Sequence, residues 1–227
     1  AKWLKNIGDP GKNGTSLAEL ETDTAAMDLE AFEDGVLEQQ LVTAGIGRGL
    51  SLDRPLGENL RELADALGKT MSELRVAVQS RPRNQGYLDA ARAAGALVLP
   101  FQDGDVDPAV RAARADGDLD LLIGIGGAPE GVLTAAAVRG LGGHMQARLA
   151  PQRPEEIAKA VEAGMSTELL LGLDELVSSD GYLFLTAVTA GGTLAGVLRD
   201  DDGITTDSWI VDPHRGVARV TRRHPLS

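Results

Sequence analysis

The sequence predicts an α/β fold: a mostly parallel sheet with flanking helices, followed by a C-terminal antiparallel strand set. Three observations predict it. Between residues 75 and 163, short aliphatic runs alternate with amphipathic helical patterns, as in strands covered by crossover helices. Leu121 to Gly143 passes from an apolar run through the turn Gly124–Gly127 into a helix that Pro129 opens and Gly142-Gly143 closes. After Leu173 the helical period disappears, and extended runs are joined by Gly191-Gly192, Asp201-Asp202-Gly203 and Asp212 to Gly216, which is hairpin turn chemistry.

Taken in order, residues 1–15 read as a strand or short helix followed by a Gly/Pro/Asn turn. Residues 16–43 read as mostly helical: Leu29, Phe32, Val36, Leu37 and Leu41 recur at helical spacing, with Glu30, Glu33, Asp34 and Glu38 as a solvated acidic face. Gly45 to Gly49 reads as a flexible link. An amphipathic helix over 58–67 ends at Gly68, and Thr70 with Glu73 has capping-box spacing. Strands at 75–79, 97–101, 120–125 and 144–149 each precede a helix, at 85–94, 107–115, 129–141 and 154–163. Strands at 182–189, 194–199, 204–211 and 217–222 close the chain. The division expected from this pattern is a divergent segment 1–52 and an α/β domain 53–227.

Composition narrows the function. Only 3% of the residues are aromatic, so Leu, Val and Ala must build the core. The net charge of −12 argues against nucleic-acid binding, which Lys and Arg drive. An acidic protein that handles anions needs local cations, so the few clustered arginines matter more than the total. No apolar run reaches membrane-span length, no secretory signal pattern occurs and there is no cysteine, so a cytoplasmic protein with no membrane partner is expected. His144, His214 and His224 lie far apart and lack metal-ligand spacing.

Ligands of parallel α/β sheets gather at the carboxyl ends of the strands, and three such ends are unusual here. Ser80-Arg81-Pro82-Arg83-Asn84 offers two guanidinium forks suited to phosphate or sugar oxygens. Gln102-Asp103-Gly104-Asp105 can accept from sugar hydroxyls, bind a metal, or cap the following helix. Gly124 to Gly127 turns backbone N–H groups toward an anion at a helix N-terminus, where Glu130 can share a metal with it. Glu130 is also favoured there by the helix dipole alone, so the residues leave a phosphate site and a plain strand–helix turn both open. The turn is neither a Walker loop, since no Lys-Ser/Thr follows, nor a good dinucleotide fingerprint, since the next strand carries no acid for a ribose.

From Asp53 to the C-terminus these landmarks resemble the class II fructose-1,6-bisphosphatases. The matching residues, in the family's order, are Arg81-Pro82-Arg83, Asp103-Gly104-Asp105, Gly124-Ile125-Gly126-Gly127-Ala128-Pro129-Glu130-Gly131, Gln146-Ala147-Arg148-Leu149, Thr205-Thr206 and Arg222-Arg223-His224. The resemblance implies a layered sugar-phosphatase-like fold. It implies metal-dependent hydrolysis, with Mn²⁺ or Mg²⁺, of the 1-phosphate of fructose-1,6-bisphosphate in gluconeogenesis, extending to sedoheptulose-1,7-bisphosphate. It assigns substrate contacts to Arg81, Pro82, Arg83, Asp103, Gly104, Asp105 and Gly127, and a metal-ligand role to Glu130.

The N-terminal part departs from the family. The Gly-Asp-Lys-Asn and Gly-Glu-Gly-Glu-Ile-Asp stretches that carry family metal ligands are absent. Asp9-Pro10-Gly11-Lys12-Asn13-Gly14-Thr15 resembles the third stretch with one extra residue and no second acid; on that match Asp9 is a metal ligand and Thr15 the hydroxyl near the scissile phosphate, while the residues alone read as a turn. The family's substrate-binding tyrosine falls near Val36, and its Pro-Arg-His is Pro82-Arg83-Asn84 here. A site with one or two carboxylates binds metal weakly. The alternative is therefore a catalytically impaired fragment or paralogue acting as a sugar-phosphate-binding or regulatory module, and a further one is a homo-oligomer that completes its site through the apolar face of the expected 16–43 helix.

Overall fold

The computed structural model describes residues 2–3, 16–21, 26–30, 37–162, 164–178, 183–186, 194–212 and 214–225. The chain forms two compact units, Ala1–Val36 and Leu37–Ser227. In the first, β1 (Lys2–Trp3), β2 (Ser16–Glu21) and β3 (Ala26–Glu30) make an antiparallel sheet in the order β1-β2-β3.

The second unit is built on a five-stranded sheet of β4 (Leu37–Thr43), β5 (Arg75–Gln79), β6 (Leu97–Phe101), β7 (Leu121–Gly127) and β8 (His144–Leu149), in the order β6-β5-β7-β4-β8. β5 pairs in parallel with β6 and β7, while β4 lies antiparallel to both β7 and β8. Four strands thus point one way and β4 alone is reversed.

The helical reading of residues 16–43 is overturned, because β2, β3 and β4 are strands. The apolar spacing misled for a simple reason. Leu37 and Leu41 are four apart, and four is a multiple of the strand period as well as close to the helical one. Strand pairing on both edges decides the case for β4, with Leu41 opposite Ile123 and Gln146. Among the described residues of this stretch there is therefore no helix to offer the apolar face suggested for oligomer formation, and the second compact unit starts at Leu37. Gly45–Gly47 forms a 3₁₀ turn closed by Gly47 N–H to the Ala44 carbonyl at 2.9 Å, where a flexible link was expected.

Helices cover both sheet faces. α1 (Leu56–Leu67) and α2 (Gln85–Ala93) pack Leu60, Leu63, Leu88 and Ala91 on Leu41, Val76, Leu121 and Ile123. α3 (Val106–Ala113) and α4 (Ala128–Gly140) pack Ala109, Ala112, Ala135 and Val138 on Val42, Ala77, Leu122 and Met145. The second interface uses alanines, so these helices sit close to the sheet. Leu41 is fully buried, and its truncation to Ala would cost about 2–5 kcal/mol. The capping box at Thr70 is formed, with the Glu73 carboxylate accepting from Thr70 N–H at 2.9 Å.

After α5 (Pro154–Glu162) and the single turn α6 (Leu173–Leu176), the chain builds the expected antiparallel set from β9 (Leu183–Thr186), β10 (Leu198–Asp200), β11 (Gly203–Asp212) and β12 (Gly216–Pro225). β11 carries β12 along one edge and β9 and β10 along the other. Trp209 of β11 is buried with Leu194, Val110 and Ala137, and Arg114 stacks over its ring at 4.7 Å. These contacts fasten the C-terminal sheet to α3 and α4.

Candidate functional site

The carboxyl ends of β5, β6 and β7 lie together at one end of the sheet, beside the amino end of the reversed β4. The three unusual turns meet there. β5 leads into the 3₁₀ turn Pro82–Asn84 and then α2, whose N-terminus is Gln85. β6 leads to Asp103-Gly104-Asp105, with Asp105 at the N-cap position of α3. β7 runs through its own glycines to Gly127, the N-cap of α4, with Pro129 and Glu130 in the first helical turn.

The turns are tied to one another. Arg81 forms an ion pair with Asp103. Arg83 donates from Nε to the Ile125 carbonyl at 2.8 Å and from Nη2 to Gln79 Oε1 at 3.0 Å, so its guanidinium faces inward across the end of β5. Asn84 is fully buried. Its Oδ1 accepts from Ile125 N–H at 2.7 Å and its Nδ2 donates to the Ile125 carbonyl at 3.2 Å. A side-chain amide thereby replaces a strand neighbour, satisfying the backbone of β7 beyond the point where β5 pairs with it.

The glycines of the β7–α4 junction have a steric purpose. A methyl group on Gly126 would overlap Asp105 Oδ2, one on Gly127 would overlap Glu130 Oε2, and one on Gly131 would overlap the Glu38 carboxyl. Each of these glycines clears the space for one acid. Glu38 and Gln40 extend from β4 beneath the start of α4, on the face that Val42 shares, and are 3% and 2% exposed. Glu38 Oε1, both polar atoms of the Gln40 amide and Thr134 Oγ1 are buried without a hydrogen-bond partner among the described residues. Gln40 lies near enough to Glu38 to stabilise its charge slightly, but without the geometry of a hydrogen bond. A cavity of about 10 Å³, room for roughly one water, lies among Gln40, Asn84, Asp105 and Gly124 to Gly126.

This crowding reshapes the acids. Burial pushes the Glu38 carboxyl up to about 8, and the negative charges of Asp105 and then Glu130 add to the effect. Asp105 is also raised, first by burial and then by Glu130, against the opposing pull of nearby backbone N–H groups and of Arg83. A neutral Glu38 can donate where a carboxylate can only accept.

Glu38 corrects the sequence reading, which placed it on a solvated helix face. Gln40 was missed as well, and Asn84 was seen only as part of a turn. The available signal was two polar residues two positions apart on a strand, a pattern that marks one face of a buried sheet as wet. Glu130 is exposed, as are Arg81, Pro82, Asp103 and Gly104, whereas Gly127 and Arg83 are half-buried and Asp105 is buried. Asp9 and Thr15 lie outside the described residues. Among the described residues no three His, Cys, Asp or Glu side chains are grouped so as to hold a metal. Asp105 and Glu130 stand close enough to raise the pKa of Glu38, and Glu130 that of Asp105, but the three do not form a ligand set, so the donors among the described residues do not by themselves fit the Mn²⁺ or Mg²⁺ that the family resemblance implies. Nor is any described helix long and apolar enough to cross a membrane.

Comparison with known proteins identifies the family of the chain. Residues 29–224 match the family model described as bacterial fructose-1,6-bisphosphatase, glpX-encoded. The fructose-1,6-bisphosphatase class 2 of Haemophilus influenzae is 36% identical over 204 residues, covering 84% of this chain and 60% of that protein. The fructose-1,6-bisphosphatase 1 class 2 of Escherichia coli K12 is 33% identical over 204 residues, with the same coverage. The chain thus spans about 60% of the length of the curated relatives it matches. It belongs to the bacterial, glpX-encoded fructose-1,6-bisphosphatase family.

Proposed function

We propose that this chain binds a sugar bisphosphate at the rim formed by turns 81–84, 103–105 and 124–130, and acts as a phosphomonoester hydrolase on the 1-phosphate of fructose-1,6-bisphosphate. The observation that carries the reading is the convergence of an arginine turn, an Asp-Gly-Asp turn and a helix N-terminus in a chain of this family. Arg81 and the α4 N-terminus supply positive potential for a phosphate in a chain of net charge −12. Arg83 shapes the wall by holding Ile125 and sets one positive charge beside Asp105. Asp103 and Asp105 accept from sugar hydroxyls. Glu38, neutral at pH 7 by virtue of its burial, closes the floor without adding a further negative charge beside the phosphate. A cytoplasmic role in carbohydrate metabolism, activity on sedoheptulose-1,7-bisphosphate and dependence on Mn²⁺ or Mg²⁺ belong to the same reading.

The test is phosphate release from fructose-1,6-bisphosphate by the purified protein with Mn²⁺ or Mg²⁺ present. Release is expected, and Glu130→Gln is expected to abolish it. A second reading is favoured by one observation, the lack of a metal-holding group among the described residues. On it the chain binds the sugar phosphate without turnover, as a regulatory module. Thermal stabilisation by fructose-1,6-bisphosphate with no phosphate release, lost in Arg81→Ala, would select that reading over hydrolysis.

A further inference from the structure

The sheet carries a second cavity at its other end. Because β4 is reversed, its last residue, Thr43, stands beside Leu121 and His144, about 17 Å along the strand from Glu38 at the rim. There a cavity of about 540 Å³ opens between the start of β8, the C-terminus of α4 and residues 170–174. That volume lies within the range of about 300–1,000 Å³ typical of small-molecule sites.

The walls are fixed. Leu171 and Ala147 exchange reciprocal backbone hydrogen bonds of 2.8 and 2.9 Å, which pins the 170–174 segment to β8. α4 ends in a closed cap: Gly142, at φ +69°, donates to the Arg139 carbonyl and Gly143 to the Val138 carbonyl. The last carbonyls of the helix are therefore occupied, and its negative end is blunted.

The lining is cationic. Arg48 is exposed and makes no ion pair with any described residue. Arg139 gives one nitrogen to Asp174 at 2.6 Å, and that carboxylate is itself 85% exposed. His144 is half-buried; burial and the neighbouring Arg48 both lower its pKa, against the Leu50 carbonyl, so it adds no positive charge at neutral pH. The lining itself carries two guanidinium groups and one carboxylate, with the Glu175 carboxylate behind it, held on Gly172 N–H at 2.9 Å, so the positive charge available to an anion is that of Arg48 and the part of Arg139 that Asp174 leaves open. Leu170 and Leu173 supply an apolar wall beside them.

We infer that this cavity is a second ligand site that takes a small phosphomonoester with an apolar body, its phosphate held between Arg48 and Arg139 and its body against Leu170 and Leu173. The two guanidinium forks suit phosphate oxygens, and inorganic phosphate alone would leave the leucines uncovered. None of these residues belongs to the rim, so the inference stands or falls independently of the proposed activity.

Phenyl phosphate is the probe, titrated without added divalent metal into the protein carrying Arg81→Ala and Arg83→Ala, which weaken phosphate binding at the rim. Calorimetry should show saturable binding, and the amide signals of Gly142, Gly143 and Leu173 should shift in nitrogen–proton NMR spectra. Adding Arg48→Ala, which removes an exposed and unpaired side chain, should weaken binding about tenfold or more without changing the thermal midpoint. Inorganic phosphate should bind more weakly than phenyl phosphate. No saturable binding, binding unchanged by Arg48→Ala, or shifts confined to residues 81–84 and 124–130 would each overturn the inference.

Discussion

Replacing Glu38 by Gln keeps the shape of the side chain under Gly131 and removes the only proton it can lose. The folded protein holds that proton until about pH 8, while the unfolded chain releases it near 4.5. Between these values the unfolded state binds fewer protons than the folded one, so the contribution of Glu38 to stability is fully present below pH 4.5 and is lost as pH rises toward 8. At 1.36 kcal/mol per pH unit, the displacement from 4.5 to about 8 corresponds to at most about 5 kcal/mol. That is a large share of the roughly 5–15 kcal/mol that holds a domain folded. Urea unfolding of wild type and Glu38→Gln across this pH window measures it directly. The two proteins should be closest in stability at the acidic end, and the variant should be progressively more stable toward the alkaline end. Parallel stability curves would refute the argument, because they would mean that Glu38 ionises in the folded state as it does in water.

Gly131→Ala should destabilise the protein by about 1–3 kcal/mol through overlap with the Glu38 carboxyl; Glu38→Ala should relieve part of that penalty in a double-mutant cycle read by thermal melting, and strict additivity would contradict the contact. Asn84→Ala should cost about 1–3 kcal/mol and speed hydrogen exchange at the Ile125 amide, because both backbone groups of Ile125 lose their amide partner. Asn84→Asp keeps the acceptor for Ile125 N–H and should retain more of the amide's protection than Asn84→Ala does. Arg81→Ala should weaken fructose-1,6-bisphosphate binding, and the loss should shrink as salt is raised, since Arg81 and Asp103 are both exposed.

Much of the fold was legible because the sheet is regular. The strand–helix alternation from Arg75 onward marked β5 to β8 and α2 to α5 to within a few residues, and the glycine and aspartate turns marked the C-terminal hairpins. The reversed strand was not legible. β4 is separated from α1 by a 3₁₀ turn and a loop, its apolar residues fit two periods at once, and its polar residues resemble a solvated face. Only pairing with β7 and β8, from distant parts of the chain, shows that Glu38 and Gln40 are buried. The turns of the site were visible as motifs because Arg-Pro-Arg, Asp-Gly-Asp and the glycine run are local chemistry. The function of each glycine was not visible, since it depends on which acid from another element, Asp105 or Glu38, lies against it. Arg83 shows the same limit: its residue type suggests phosphate binding, while its geometry shows a latch on Ile125 and Gln79.

The central claim is that the rim selects one phosphate of a sugar bisphosphate for hydrolysis. Phosphorus NMR of fructose-1,6-bisphosphate incubated with the protein and Mn²⁺ or Mg²⁺ tests it most directly. The account predicts loss of the 1-phosphate signal and growth of inorganic phosphate, both absent in Glu130→Gln, with the 6-phosphate signal persisting in either protein. An unchanged spectrum at high enzyme concentration, or loss of the 6-phosphate first, would contradict it.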